Sequence, residues 1–338
     1  MKFRKLITLV MVLSLVITLS GCGALDKMKQ AVTDTNEEDI EITESQDPIE
    51  ITIEENTRDT VLYYKNRENL LVPVKRKIPW ETGIAKAALR NMVDTEEIRN
   101  ELSYIGLEPI IPMGTDVIGM SIDEENGICK VNFTSEILNS ESEEDEMSLV
   151  NGIVYTLTEF PTISEVQLMV EGKIMDNFSY GTEVSNPIKR RDINLVEKGE
   201  GNSKVVVYYK STTNGEYEYY VPVTIPVMAP NTNVYTALEE LFNGAPELTG
   251  LYTDIPIGVS LQGVEVKDGI AFVDLSEDVK DTVMDQATFD SMQKNIALTL
   301  DQFNEIQNVK IMINGKTLEE ANLDIESSET IPVFANEY

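Results

Sequence analysis

Two short clusters of carboxylates are the residues of this chain that could most directly perform chemistry. They are Asp123-Glu124-Glu125 and the run Glu141–Glu146. Paired acids carry out glycoside hydrolysis when two carboxyl groups face each other across a cleft. Solvated charge is the simpler interpretation, because the first cluster falls in a predicted hairpin turn and the second in a predicted loop. A matching turn later in the chain lacks the acids of the first cluster, so we expect no catalytic carboxylate.

Composition excludes much nucleophilic and zinc chemistry. The chain has no histidine and only two cysteines, Cys22 and Cys129, which removes Ser-His-Asp and Cys-His arrangements and Cys/His zinc sites. Cys129 has no histidine to activate it, and it aligns with Ala271 of a repeated segment, on the inward face of a strand. We therefore expect Cys129 to be a buried core residue and the protein not to be an enzyme.

Metal ions and nucleic acids are also poorly matched. No Asp-x-Asp-x-Asp-Gly run, typical of a calcium loop, occurs in the 338 residues; weak calcium binding by the acidic N-terminal region remains open. The chain has 59 acidic and 27 basic residues and a net charge of −32, whereas a protein that follows phosphates needs a basic face. We expect no cofactor, no specific metal site and no nucleic-acid partner.

Two further groups of residues each allow two interpretations. The pairs Tyr63-Tyr64 and Tyr208-Tyr209 could stack on a sugar, but consecutive strand residues point to opposite faces, so core packing is preferred. The basic cluster Lys189-Arg190-Arg191 could dock on an acidic neighbouring domain or be solvated, and solvation is preferred.

The start of the chain predicts export and lipidation. Basic residues precede an apolar run, Leu6–Leu19, that is shorter than the about 20 residues of a membrane span, which is typical of a signal peptide. The following Leu19-Ser20-Gly21-Cys22 resembles a bacterial lipobox, which implies cleavage before Cys22 and lipid attachment to that residue. An uncleaved membrane anchor is the alternative. We expect the protein on the extracytoplasmic face of the cell membrane, lipid-anchored through Cys22.

Beyond residue 57 the chain resembles itself at a spacing of about 143 residues, and such repeats indicate homologous units. Four segments match: Val61-Leu62-Tyr63-Tyr64-Lys65 with Val205-Val206-Val207-Tyr208-Tyr209-Lys210, Leu71-Val72-Pro73-Val74 with Tyr220-Val221-Pro222-Val223, Ile111-Pro112-Met113-Gly114 with Ile255-Pro256-Ile257-Gly258, and Leu168-Met169-Val170-Glu171-Gly172-Lys173 with Ile311-Met312-Ile313-Asn314-Gly315-Lys316.

Each copy predicts the same order of elements, ββαββαβ. The first helix is predicted over Thr82–Asp94 and Asn233–Asn243, and the best-defined hairpin turns at Asn126-Gly127 and Asp268-Gly269. A second helix follows, with apolar residues at helical spacing. The fold class is therefore α+β, as two tandem copies of a mixed sheet with two helices on one face.

Six segments result. They are a lipoprotein signal over 1–22, an acidic flexible tether over 23–57, a first domain over 58–187, a linker over 188–202, a second domain over 203–320 and a tail over 321–338.

The block from Val150 to Pro161, followed by Val166–Lys173, resembles the GerM domain of spore-forming bacteria, as do Ile111-Pro112-Met113-Gly114-Thr115 and Val131-Asn132-Phe133. The second copy departs from the pattern, with Asp274-Leu275 in place of Asn132-Phe133 and Phe303-Asn304 in place of Phe160-Pro161. The resemblance implies a ring-building-motif-like fold in a lipoprotein of the envelope between mother cell and forespore, with roles in sporulation and germination. It carries no catalytic residue.

Two functions follow as hypotheses. The first is a non-catalytic, membrane-anchored scaffold or assembly component of the spore-forming cell envelope, which forms a homo-oligomer or ring with sporulation envelope proteins. The second is an extracytoplasmic lipoprotein that binds a small molecule or a cell-wall fragment in a cleft.

Overall fold

The computed structural model describes residues 57–79, 83–196, 201–213, 215–247, 249–283 and 285–337. The predicted signal with Cys22 and nearly all of the acidic tether lie outside the described residues. The first half of the described chain contains, in order, β1 (Thr57–Asn66), β2 (Leu71–Pro79), α1 (Ile84–Arg90), α2 (Glu96–Ser103), β3 (Leu107–Glu108), β4 (Val117–Asp123), β5 (Ile128–Phe133), a 3₁₀ turn (Ser135–Leu138), α3 (Glu143–Thr158) and β6 (Glu165–Val170).

The second half repeats this order with small differences. It contains β7 (Ser203–Thr213), β8 (Tyr217–Val227), α4 (Val234–Asn243), β9 (Leu261–Lys267), β10 (Ile270–Leu275), α5 (Val279–Thr282), α6 (Gln286–Leu300) and β11 (Asn308–Ile313). The predicted α+β class and the tandem arrangement of two similar units are confirmed.

The strands of each half are divided between two sheets. The long antiparallel hairpin β1–β2 extends with β3 in the order β2-β1-β3, and β7 pairs with β8. The mixed sheet has the order β4-β5-β6 in the first half and β11-β10-β9 in the second, with β5–β6 and β10–β11 parallel. The mixed sheet is therefore a three-stranded one, and the hairpin is a separate layer.

The long helices α3 and α6 lie between these two layers. Residues 152–157 of α3 are six consecutive buried positions, which cover the whole circumference of the helix. A helix that is buried all round must be enclosed on every side, and α3 packs on both β1 and β6. The sequence pattern assigns only one apolar face to this helix, so the enclosure comes from the tertiary structure.

The predicted hairpin turns and the predicted ends of α4 agree with the structure, whereas the first helix of the first half is shorter than predicted. Gly127 has a φ of 69°, and Asp268 and Gly269 have φ values of 51° and 79°, the left-handed backbone that a tight hairpin needs. Helix α4 begins after Asn233, whose side chain accepts a hydrogen bond from the Thr236 N–H, and ends at Gly244. In the first half α1 ends at Arg90, before the predicted Asp94, and α2 occupies part of a stretch that the sequence pattern leaves irregular.

The two halves touch through their hairpins, because β2 packs against β8. A second contact between the halves is a hydrogen bond, in which the Thr213 hydroxyl donates to the Ile105 carbonyl at 2.8 Å. At this point Gly106 is required, since a β-carbon on it would lie 2.0 Å from the Thr213 hydroxyl oxygen.

Candidate docking surface

The first acidic cluster forms the tip of the β4–β5 hairpin. Asp123 accepts hydrogen bonds from the backbone and side-chain nitrogens of Asn126, at 3.2 and 2.8 Å, and these bonds hold the pKa of Asp123 below its usual value. Glu124 and Glu125 are exposed. The cluster therefore closes a turn, and the interpretation as solvated charge fits it.

The second acidic cluster is not a loop, and that prediction is wrong. Ser142 caps α3 by accepting from the Asp145 N–H, and the acids from Glu143 to Glu146 form the first helical turn. Carboxylates are favoured there by the positive end of the helix dipole. Glu146 is completely buried and accepts from the backbone N–H groups of Tyr180 and Thr182, at 2.8 and 2.9 Å. Glu146 therefore fixes the position of the loop that contains Tyr180 and Thr182.

Cys129 is completely buried in β5, as predicted. Burial alone raises the pKa of its thiol to about 11, so the reactive thiolate is suppressed at neutral pH. Its counterpart Ala271 is equally buried. Cys129 is a packing residue.

The tyrosine pairs serve packing and hydrogen bonding, as preferred. Tyr64 and Tyr209 are completely buried, and their hydroxyls donate to backbone carbonyls, of Asn91 in the first case. The Tyr63 hydroxyl donates to the Glu159 carboxylate at 3.1 Å, and burial raises the pKa of Tyr63.

The basic cluster is exposed, as the preferred prediction of solvation requires, but Arg190 also follows the alternative, which is docking on the neighbouring domain. The Arg190 guanidinium pairs with Glu159 at 2.6 Å, donates to the Thr158 hydroxyl at 2.7 Å and lies 4.9 Å from the centre of the Tyr155 ring. A cation at the C-terminal end of a helix binds the orphan carbonyls and the dipole. Arg190 therefore docks on the end of α3, within the preceding half.

Both departures of the second copy from the family pattern keep the same local structure. Asp274 accepts the Gly315 N–H at 2.8 Å, just as the amide oxygen of Asn132 accepts the Gly172 N–H at 2.8 Å. Phe303 is as buried as Phe160. The exchange of amide for carboxylate leaves the turn intact, since both side chains offer an acceptor.

Most sheet edges in the described part of the chain are covered. The hairpin edge at β1 and β7 is bound by helix side chains: the Thr156 hydroxyl accepts the Tyr63 N–H, and the Thr299 hydroxyl accepts the Tyr208 N–H. The outer edge of β6 pairs with Ile188, and that of β11 with residues 329–330. Strand β2 carries prolines and lysines along its length, which blunt an edge.

The outer edges of β4 and β9 stand apart from these. Among the described residues neither strand has a second pairing partner. Strand β4 contains neither proline nor lysine, whereas β9 contains a single lysine, Lys267, at its end. Ile118 and Ile122 of β4 are 47% and 39% exposed, and Val266 of β9 is 41% exposed. An open edge with apolar side chains is a template for another chain. These two edges are the candidate docking surface.

A surface groove of about 760 Å³ lies beside β3 in the first half. The continuous segment 106–113 lines it, together with Lys65, Arg67 and Arg99 among other residues. Lys65 pairs with Asp145 and Arg99 with Asp94, whereas Arg67 has no ion pair within the described residues. The groove could hold an extended ligand with a charged group.

In the second half, the lysine equivalent to Lys65 is enclosed. The Lys210 side chain is 7% exposed, and its ammonium lies 2.8 Å from Asp254 and 3.1 Å from Glu218. The Tyr220 ring lies 5.2 Å from the same ammonium, and its hydroxyl donates to Asp254 at 2.7 Å. The arrangement is an internal ion-pair network.

Metal binding and membrane crossing have no candidate in the described ranges. No group of three or more acidic, cysteine or histidine side chains there is arranged around a common point as a metal site would be. No described helix combines the length and the apolar character that are needed to cross a bilayer.

Comparison with known proteins identifies what this architecture is similar to. The profile of the Germane family, described as sporulation and spore germination, matches residues 61–176 and 206–319. The spore germination protein GerM of Bacillus subtilis (strain 168) is 28% identical over 267 residues, which are 76% of this chain and 71% of the relative.

A solved structure of tandem domains agrees with the sequence match. The tandem GerMN domains of the sporulation protein GerM from Bacillus subtilis superimpose with a TM-score of 0.69 at 27% identity, covering 83% of this chain and 99% of that one. The first GerMN domain of the same protein matches at 28% identity with a TM-score of 0.37, over 40% of this chain and 100% of that one. The resemblance to GerM domains is confirmed. The descriptions name sporulation and germination and no reaction.

Proposed function

Because this chain belongs to the Germane family of sporulation and spore germination proteins, we propose that it is a non-catalytic lipoprotein that serves as a scaffold or assembly component of the spore-forming cell envelope. The observation that carries the proposal is the pair of open edges on β4 and β9. Among the described residues, Asp123 closes a turn, Glu146 and Cys129 are buried, and the tyrosine pairs pack or form hydrogen bonds, so none of them forms a catalytic set. The apolar side chains of the two edges are left to contact another protein.

Anchoring in this proposal comes from lipid on Cys22, with the folded part held away from the membrane by the acidic tether. A chain with a net charge of −32 is repelled by anionic headgroups and wall polymers. Surface electrostatics therefore oppose binding of the protein to the membrane, and in this proposal the lipid anchor provides that binding. The partners are a second copy in a homo-oligomer or ring, or other envelope proteins of the sporulating cell.

The test is fluorescence imaging of a tagged copy, expressed from its own promoter, in cells followed through starvation and sporulation. We expect enrichment at the membrane around the forespore. In the variant Ile122→Lys with Val266→Lys, a charge interrupts both open edges, and we expect membrane attachment to remain while the enrichment is lost. Met228, 74% exposed and on neither edge, gives the matched control Met228→Lys. Even distribution of the wild type around growing cells would refute the proposal.

A ligand-binding lipoprotein is the second candidate function, and the groove beside β3 favours it. A ligand at 100 times its dissociation constant adds about 2.7 kcal/mol to the stability of the protein. A thermal-shift screen with wall fragments, sugars and peptides should then find a compound that stabilises the wild type and not Arg67→Glu. No shift with any compound would remove the support for this candidate.

A further inference from the structure

Two asparagines outside the segments that match the family profile hold the two halves together. Asn194 follows the first half. Its side-chain oxygen accepts the Leu71 N–H at 2.8 Å, and its side-chain nitrogen donates to the Leu71 carbonyl at 2.8 Å and to the Pro222 carbonyl at 2.7 Å. Leu71 lies on β2 and Pro222 on β8. One amide thus binds both hairpins.

Asn336 follows the second half and makes the reciprocal set of contacts. Its side-chain oxygen accepts the Tyr220 N–H at 2.7 Å, and its side-chain nitrogen donates at 2.8 Å to the carbonyls of Tyr220 and Pro73. The repeat aligns Leu71 with Tyr220 and Pro73 with Pro222. The same chemistry therefore occurs twice, with the two halves exchanging roles.

The backbone beside each asparagine also lies on the hairpin of the other half. After the first half, the Ile193 carbonyl accepts the Thr224 N–H of β8 at 3.0 Å. After the second half, the Asn336 carbonyl accepts the Lys75 N–H of β2 at 2.8 Å. The segment that follows each half therefore binds the hairpin of the other half.

A primary amide suits these positions better than any other side chain. Each site presents one N–H and two carbonyls, and an amide offers one acceptor and two donors. Asn336 is 4% exposed, so its partners would be left without hydrogen bonds if the amide were removed, which is costly in a buried site. Asn194 has a φ of 48°, a left-handed conformation that asparagine tolerates.

We propose that Asn194 and Asn336 are reciprocal interdomain staples that make the two halves fold and move as one unit. The partner of each staple is the hairpin of the opposite half. The staples fix the orientation of one half against the other. The distance and angle between surfaces on the two halves therefore stay constant.

The experiment compares the full chain with Asn194→Asp, Asn336→Asp and the double variant. Aspartate keeps the size of the side chain but replaces the two N–H donors with an oxygen that faces carbonyls. The control is Asn304→Asp, at an exposed position with no role in the interface. Thermal unfolding of the wild type is expected as one transition, and the double variant is expected to show two.

Hydrogen exchange locates the effect. Asn336→Asp should speed exchange of the Lys75 and Tyr220 amides by about tenfold or more, and Asn194→Asp should do the same at Leu71 and Thr224. Each single variant then affects both halves. Two transitions in the wild type, or a double variant with one unchanged transition and normal protection at these amides, would overturn the proposal.

Discussion

The α-carbon of Gly152 packs directly against the side chain of Ile110, so closely that a β-carbon on residue 152 would lie 2.2 Å from the Ile110 Cδ1 atom. The repeat places Asn295 and Asp254 at the corresponding positions, and there the Asn295 side chain accepts the Asp254 N–H at 3.0 Å and donates to the Tyr208 carbonyl at 2.6 Å. The equivalent contact is therefore made by close apolar packing in the first half and by hydrogen bonds in the second.

Gly152→Ala should destabilise the protein by about 1–3 kcal/mol, because Ile110 must move in a packed core. Helix propensity alone predicts the opposite, a gain of about 1 kcal/mol. Chemical denaturation measures the difference. Gly119→Ala is the control, since a β-carbon there has no neighbour within 4 Å. A more stable Gly152→Ala variant would contradict the close packing.

Glu146→Ala should cost about 3 kcal/mol of stability, because the N–H groups of Tyr180 and Thr182 lose a charged acceptor. The exposed Glu143, in the same helical turn, is the control. Its replacement by alanine should cost about 0.5 kcal/mol, since only the interaction with the helix dipole is lost. Equal losses for the two variants, measured by denaturation, would show that the buried carboxylate has no special role.

Asp254→Ala should cost about 3 kcal/mol, because it leaves the Lys210 ammonium in a buried site with a weaker partner. Glu218→Ala should cost less than about 1 kcal/mol, since the Glu218 carboxylate is 54% exposed. The ranking of the two variants in thermal unfolding checks this prediction, and the reverse order would refute it.

Glu240→Gln should raise the melting temperature at pH 7 and leave it unchanged at pH 3. Burial, with the neighbouring charge of Glu239, raises the pKa of Glu240 in the folded protein. A carboxyl with a raised folded pKa contributes stability below its unfolded pKa, and that contribution is lost as pH rises through the folded pKa. Glutamine removes the penalty at neutral pH. Glu239→Gln, at an exposed position, should give a smaller gain, and an equal gain at both pH values would contradict the assignment.

Cys22→Ala should leave the protein uncleaved or mislocalised, because the variant lacks the residue proposed to receive the lipid. Metabolic labelling with a fatty acid and fractionation of cells check both effects. Salt should not release the wild type from membranes, since like charges keep its body from the surface. Normal lipid labelling of Cys22→Ala would refute the assignment of the anchor.

Local chemistry allowed much of the fold to be predicted from the sequence. Asn126-Gly127 and Asp268-Gly269 specify tight turns because few other residues adopt positive φ, and Asn233 with Gly244 brackets α4 through capping. The core position of Cys129 followed from strand alternation and from its alignment with Ala271. The absence of histidine and the signal-like N-terminal run restrict the classes of function through composition alone.

The predicted environment differs from the structure where the local sequence is compatible with two environments. The acids from Glu143 to Glu146 suit a solvated loop as well as a helix N-terminus, and only Ser142 three residues before Asp145 could have indicated the cap. Arg190 lies in a polar segment typical of a solvated linker, yet in the folded protein its guanidinium contacts Glu159 and Tyr155 at the end of α3. Sequence patterns record neighbours along the chain, whereas these contacts join positions about 30 residues apart.

The sequence by itself determined the α+β class, the tandem repeat, the turns and the lack of the usual catalytic sets, because these depend on composition, periodicity and local backbone preference. Tertiary structure alone decided that the hairpin and the mixed sheet are separate layers, that β4 and β9 keep open edges, and that Asn194 and Asn336 bind the opposite hairpins. Hydrogen bonds between residues 28 apart, as for Asn194 and Pro222, or 263 apart, as for Asn336 and Pro73, leave no periodic trace in the chain, and only the folded arrangement brings their donors and acceptors within reach.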